Sequence, residues 1–227
     1  MDPAGWLQER LGCSFADAGL LDRALTHRSA GPDNNERLEY LGDAVLSFVV
    51  AEMLFESHPE ASEGELSRYR ASLVSGETLG ALALELGLGQ HLRLGEGELK
   101  SGGRRRASIL ADALEALVGA VYLDRGLDAA RTLAGRLMRQ RLDELPMASE
   151  LKDAKTRLQE WLQGRGLGLP EYTVMEVSGE PHEQRFRVRC DVNGLAIAAE
   201  AEGSSRRRAE QEAATLVLGN PALQARR

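Results

Sequence analysis

The sequence predicts two successive domains, the first all-α and the second α+β with the order α-β-β-β-α. Three observations predict this. Apolar residues recur at helical spacing as far as Leu145, and a strict two-residue alternation then appears between Gln184 and Val192. Asn193-Gly194 directly follows that alternation, which signals a tight two-residue hairpin. Between the two regimes, residues 146–153 read as a short linker that includes Pro146-Met147-Ala148-Ser149-Glu150.

In the first part, helical periodicity covers 16–27, 36–56, 65–86, 107–123 and 127–145. Breaks fall at Gly31–Pro32, Gly87–Gly89, Gly95–Gly97 and Ser101–Gly103. Ser62 and Glu65 have the spacing of a capping box, so a helix is expected to start there. In the second part, Lys155 to Gln163 is amphipathic, and Glu171 to Val177 is the first expected strand. Phe186, Val188, Cys190 and Val192 alternate with Arg185, Arg187, Arg189 and Asp191, as in a half-buried strand. Leu195 to Ala201 supplies the return strand. Ser204-Ser205 then opens a last helix that runs to about Leu218. No internal repeat or low-complexity tract interrupts this order.

With 227 residues and a hydrophobic fraction of 43%, the chain has material for two cores. Cys13 and Cys190 are its two cysteines, too far apart for a CxxC motif, so neither a disulfide framework nor a zinc site is expected. The start MDPAGWLQERLGCS lacks the pattern of a secretion signal, and the apolar run Ala44 to Phe55 is too short to span a bilayer. The expectation is a cytoplasmic protein with no membrane partner and no small-molecule cofactor. The net charge of −7 argues on its face against a polyanionic partner, but it is unevenly spread. Residues 154–227 carry 11 Lys/Arg and 10 Asp/Glu, which leaves 17 and 25 for residues 1–153. Charge alone therefore does not name the partner.

Two helices carry acids in an otherwise apolar setting. Glu36, Glu39 and Asp43 share roughly one side of the first, which has no Lys or Arg from Leu38 to Phe55. Asp112 and Glu115 repeat the design among Ile109, Leu110, Leu114, Leu117 and Val118. Like charges at this spacing repel, and half-burial raises the cost unless a cation compensates. Oxygen ligands of this kind suit hard Mg²⁺, and no histidine lies on either helix to favour a softer metal. A solvated acidic stripe is the alternative.

Asn35-Glu36-Arg37-Leu38-Glu39-Tyr40-Leu41-Gly42-Asp43-Ala44-Val45-Leu46 resembles the signature of the ribonuclease III family. Leu25-Thr26-His27-Arg28-Ser29, Glu63-Gly64-Glu65-Leu66-Ser67 and Ala111-Asp112-Ala113-Leu114-Glu115-Ala116 extend the resemblance along the chain. Tyr40 stands where the family usually has Phe. The resemblance implies an all-α nuclease domain over 1–145, a linker over 146–153 and a double-stranded-RNA-binding domain over 154–222. It further implies a homodimer, with Glu39, Asp43, Asp112 and Glu115 as metal ligands and Asp43 and Glu115 as catalytic groups. Glu36 and Glu63 match auxiliary acidic positions, although Glu63 also suits the first turn of any helix. The implied cofactor is Mg²⁺, with Mn²⁺ able to substitute, in a site whose two-metal form would place ions roughly 3.5–4 Å apart. The implied reaction hydrolyses duplex RNA to 5′-phosphate and 3′-hydroxyl ends, in ribosomal RNA and mRNA processing.

The second part resembles a double-stranded-RNA-binding domain that opens with Lys155-Thr156-Arg157-Leu158-Gln159-Glu160. Thr156, Gln159, Glu160 and Gln163 fall on one helix face and are able to meet 2′-hydroxyls in a minor groove. The turn carrying Pro181-His182 would enter a second minor groove, while Ser204, Ser205, Arg206 and Arg207 would grip phosphates across the major groove. Glu210 stands where the family often has a basic residue, which would weaken that grip. Arg185, Arg187 and Arg189 read as surface charges, and Gly102 to Arg106 as a phosphate clamp or a mobile basic loop. Two rivals are weaker. A non-cleaving RNA binder gains nothing from four acids that repel phosphate, and a helical diphosphate hydrolase would not explain the second domain.

Overall fold

The computed structural model describes residues 2–146, 151–180 and 183–224. It divides into two compact units, Met1–Pro146 and Met147–Arg227. The first contains α1 (Pro3–Leu11), α2 (Ala18–Ala24), α3 (Glu36–Ser57), α4 (Glu63–Leu73), α5 (Gly76–Glu85), α6 (Glu96–Lys100) and α7 (Ala107–Asp143). The second contains α8 (Ala154–Gln163), β1 (Glu171–Ser178), β2 (Arg185–Val192), β3 (Ile197–Gly203), α9 (Arg206–Leu218) and α10 (Pro221–Gln224).

The first core forms where α3 packs along α7, with Leu46, Leu54, Leu110, Leu114 and Leu117 fully buried. Two glycines set how closely these helices approach. A Cβ built at Gly42 would overlap the carbonyl oxygen of Glu115, and one at Gly119 would overlap that of Leu38. The backbones therefore touch at this crossing, and any side chain there would force them apart.

Several elements differ from the sequence-based expectation. Helix α1 was not anticipated, yet Asp2 caps it through Gly5 N–H, Pro3 occupies its first turn, and Trp6, Leu7 and Leu11 are buried. The stretch 65–86 is two helices rather than one. Ser75 caps α5 by accepting from Thr78 N–H, and both Ser75 and Thr78 hydroxyls donate to the Ser72 carbonyl. Hydroxyl competition for the backbone ends α4 where apolar spacing alone continues. By contrast, the expected break between 107–123 and 127–145 is present: α7 consists of two helical segments that meet at Gly126, whose φ of 78° and ψ of −176° are not helical. Ser62 and Glu65 do form the capping box that starts α4.

In the second unit the sheet order is β1-β2-β3, antiparallel throughout. Val188, Cys190 and Val192 are buried, and Cys190 and Val192 share a core with Leu158 and Leu162 of α8 and Ala213, Ala214 and Val217 of α9. The β2–β3 connection is longer than the expected two-residue turn. Val192 pairs with Ile197, so four residues lie between, and β3 begins at Ile197 rather than Leu195. Leu195 N–H closes a turn on the Val192 carbonyl, and Ala196 then takes a left-handed conformation (φ 51°). This arrangement lets Leu195 pack on the second core.

The Gly42 crossing yields a direct expectation. Gly42→Ala adds one methyl group with no space to receive it, and overpacking of this kind costs typically 1–3 kcal/mol or more. We expect a stability loss of at least ~3 kcal/mol, read as a fall in the urea midpoint. An unchanged midpoint would show that the helices separate freely.

Candidate metal centre and nucleic-acid interface

The α3–α7 crossing carries the acids. Glu39, Asp112 and Glu115 each offer a carboxylate oxygen, and these oxygens all lie within 4.8 Å of one another. All three side chains are half-buried. Helical spacing delivers Glu39 one turn before Gly42 on α3, while Glu115 sits one turn before Gly119 on α7. Because the glycines abut, the two acidic turns face each other. Asp43 is exposed and is not part of this closest group. It is near enough that, after burial, its charge is the largest influence on Glu115.

The electrostatics are those of acids gathered without sufficient countercharge. Burial, then the neighbouring charges of Asp43, Asp112 and Glu39, push Glu115 up to about 7. Burial, then Asp112 and Glu36, raise Glu39, although Arg28 opposes the shift. Burial raises Asp112 against the pull of His27 and Arg28. A divalent cation would relieve all three at once. The donor set is carboxylate oxygen only, which fits a hard ion such as Mg²⁺.

The auxiliary acids part company. Glu36 is exposed, lies 3.5 Å from Arg28, and lines a pocket of about 240 Å³ that also includes Glu39 and Asp112. Glu63 is in the first turn of α4, where it accepts from the Ser67 hydroxyl, and it is not among the gathered acids. His27 lines the same pocket with Nδ1 2.8 Å from the Ser29 hydroxyl. In the basic segment, Arg104 donates to the carbonyls of Gly89 and Gln90, and Arg106 pairs with Glu98 at 2.7 Å. Two of its three arginines are thus fixed by the protein itself, which favours neither the mobile loop nor a clamp of three free cations.

In the second unit Gln159 and Gln163 are exposed on α8. Thr156 is half-buried and donates to the Asp153 carboxylate, which caps the helix. Glu160 pairs with Lys152 at 2.5 Å. Ser204, Ser205, Arg206 and Arg207 are exposed at the start of α9, and Ser205 is its cap through Arg208 N–H. Arg206 is tied to Glu210 at 2.8 Å, whereas Arg207 has no ion pair among the described residues. His182 lies outside the described residues.

Glu210 requires a correction. It does not sit on the outer face of α9 to oppose phosphate. It is 8% exposed and held by Lys155 and Arg206. Burial pushes its carboxyl up, but the bonds from Lys155 and Arg206 outweigh that and leave it below its ordinary value. Lys155 also lies over the Tyr172 ring, 4.4 Å from its centroid, so this group links α8, α9 and β1. Arg187 and Arg189 bond across the sheet to Glu202 and Glu200, as expected of surface charges. Residues not singled out by the sequence, Asn35 and Ser108, join the pocket beside the acids. A helix-capping position and a lone serine give no signal distinct from local structure.

Glu115 supplies a pH prediction. Its folded carboxyl titrates at about 7 against an ordinary 4.5, so between those values the folded chain keeps a proton that the unfolded chain has released. The stability linked to this group is complete below about pH 4.5 and is lost as pH rises toward 7. In EDTA, the Tm of the wild type relative to Glu115→Gln should decline across that window, and added Mg²⁺ should remove the decline. A difference that is flat with pH in EDTA would contradict this electrostatic picture.

Comparison with known proteins bears on both units. Residues 17–142 match the family model described as Ribonuclease-III-like, and residues 154–220 match the double-stranded RNA binding motif. The chain is 56% identical over 216 residues to ribonuclease 3 from Alkalilimnicola ehrlichii, covering 95% of each chain. It is 56% identical over 214 residues to ribonuclease 3 from Nitrosococcus oceani, covering 93% of this chain and 92% of that one. Among solved structures, it resembles the nuclease domain of ribonuclease III from Campylobacter jejuni, with a TM-score of 0.59 and 43% identity over 61% of this chain and 97% of that one. The structure of that domain is described for flexibility in a region involved in dimer formation. Facing acids on two crossing helices, a following α-β-β-β-α unit and relatives alike over nearly the whole length lead to one conclusion: the chain belongs to the ribonuclease III family of endoribonucleases.

Proposed function

We propose that this endoribonuclease hydrolyses phosphodiester bonds in double-stranded RNA with Mg²⁺, and that Mn²⁺ is able to substitute. The observation that carries this reading is the trio Glu39, Asp112 and Glu115, gathered from two helices with their carboxylates raised by burial and mutual repulsion. We assign Glu39, Asp43, Asp112 and Glu115 as the metal ligands, with Asp43 and Glu115 as the catalytic pair and Glu36 and Glu63 as auxiliary acids. A bound divalent ion supplies an activated water and offsets charge on the scissile phosphate.

The residues of the chain prepare that chemistry. The touching backbones of α3 and α7 hold the carboxylates at fixed separation, so no helix movement is needed to assemble them. Half-burial keeps their charge from being dissipated into water. The products on this reading carry 5′-phosphate and 3′-hydroxyl ends, and the substrates are ribosomal and messenger RNA precursors in the cytoplasm.

Catalysis is assigned to residues 1–145 and duplex binding to 154–222, joined by the linker 146–153. Gln159 and Gln163, with Thr156 and Glu160 beside them, would face a minor groove, and His182 would reach another. Ser204, Ser205, Arg206 and Arg207 would meet phosphates. Since Arg206 is drawn onto Glu210, Arg207 is the freer of the two cations. The active form is assigned as a homodimer through the first unit. Tyr40 and Leu123, 83% and 54% exposed, border a groove that also includes Leu38 and Leu41, and water-exposed apolar groups in that arrangement suit a partner surface. A monomer with full activity at micromolar concentration in sedimentation would remove the dimer from this reading.

Binding and cleavage should separate by mutation. Glu115→Gln removes one charge from a hard-metal site, so the cleavage rate should fall by orders of magnitude while gel-shift affinity for a long duplex persists or tightens. Arg207→Ala should weaken affinity and steepen the need for low salt, with most of the turnover restored by excess RNA. Wild-type cleavage by Glu115→Gln at saturating RNA and limiting Mg²⁺ would defeat the assignment.

A further inference from the structure

Helix α9 opens with three arginines in a row, and among the described residues only Arg206 is paired with an acid. It donates through Nε to Glu210 Oε1 at 2.8 Å, one helical turn further on. That bond uses one of the five N–H groups of the guanidinium. The other four, on Nη1 and Nη2, make no bond among the described residues, and the side chain is 64% exposed. Arg206 is thus tied at its inner nitrogen and open at its outer edge.

Glu210 is itself anchored. Its second oxygen, Oε2, accepts from Lys155 Nζ. The Lys155 N–H donates to Gln211 Oε1, and Gln211 Nε2 donates to Asp153, the cap of α8. The backbone beneath Arg206 is fixed as well. A Cβ built at Gly203 would lie 2.5 Å from Ala209 N, so the end of β3 abuts the start of α9. Packing alone does not call for an acid here, since replacing a buried ion pair by apolar groups of like volume is often neutral or stabilising. An apolar residue at 210 could not set the direction of a guanidinium. An unrestrained arginine gives up rotamer freedom when it grips a phosphate, whereas Arg206 has given it up beforehand. Its outer edge carries the parallel N–H pair that matches two phosphate oxygens.

We propose that Glu210 is a positioning residue for duplex RNA, which anchors the Nε side of Arg206 so that the Nη edge is held ready for one backbone phosphate. This rests on the duplex-binding reading of the second unit and deepens it. Glu210 does not touch the RNA and acts only through Arg206.

The test uses the full-length protein, with gel shifts in EDTA on an RNA duplex of about 16 base pairs, the span of such a unit, and cleavage of a longer duplex with Mg²⁺. Glu210→Gln removes the anchoring charge. Affinity should fall roughly 3- to 10-fold, the cost of ordering one long side chain on binding, and KM should rise while kcat at saturating RNA is kept. In an Arg206→Ala background the same substitution should cause no further loss. An equal loss in both backgrounds is what a strut between α8 and α9 produces, and it would overturn the proposal. So would unchanged or tighter binding by Glu210→Gln, the behaviour of an acid that merely repels phosphate. Arg206→Lys provides a second check that leaves Glu210 in place, whether or not Glu210→Gln folds. Lysine keeps the charge but has a single nitrogen for Glu210 and phosphate to share, so affinity should fall nearly as far as in Arg206→Ala. Wild-type affinity of Arg206→Lys would overturn the proposal. Wild-type affinity of Arg206→Ala would go further and remove Arg206 from the RNA interface, and with it the reading on which the proposal rests.

Discussion

The whole first unit depends on one contact, the backbone-to-backbone crossing of α3 and α7 at Gly42 and Gly119. Helices usually keep 8–10 Å between axes because side chains stand between them. Here nothing does. The carbonyl oxygens of Leu38 and Glu115 occupy the space a methyl group would take, so the acidic turn of each helix is pressed toward the other. The repulsion among Glu39, Asp112 and Glu115 is therefore resisted by packing that has no room to relax. Leu46, Leu110, Leu114 and Leu117 bury the apolar area that opposes the electrostatic strain.

How much of this was legible in the sequence depends on the range of the interaction concerned. The acids could be read because their spacing is local and the missing cations are conspicuous by composition. Their meeting across two helices could be anticipated only through the family resemblance. Asp43 shows the limit, since spacing groups it with Glu39 while the fold leaves it exposed and outside the tightest trio. The split between α4 and α5 turns on the Ser75 and Thr78 hydroxyls, which donate to the Ser72 carbonyl and which apolar periodicity ignores. The β2–β3 turn was misjudged because Leu195 has a core to reach.

The second unit explains why net charge was a poor guide. Many of its arginines and lysines answer to acids of the same unit: Arg187 and Arg189 to the sheet, Lys152 to Glu160, Lys155 and Arg206 to Glu210. Glu210 shows how an acid in a basic stretch differs from a misplaced charge. By occupying the space between α8 and α9 it fixes the two helices that present the proposed RNA-facing side chains. Among the described residues, the cations left without an acidic partner are fewer than the cations themselves, so total charge does not measure the charge open to a partner.

The bend at Gly126 divides α7 into two independently phased rods. A straight helix of its 37 residues would extend roughly 55 Å, with every side chain locked to one continuous screw. At Gly126 the φ and ψ values belong to a region that only glycine enters readily, and the screw is interrupted. Just before it, the Asp124 carboxylate accepts from the N–H groups of Ala16 and Asp17, which anchors the upstream rod to the segment leading into α2. A one-residue insertion after the bend would turn the downstream half by about 100° and leave Asp112 and Glu115 in phase with α3. The acid-bearing half of the helix is thereby insulated from length variation in the half that follows.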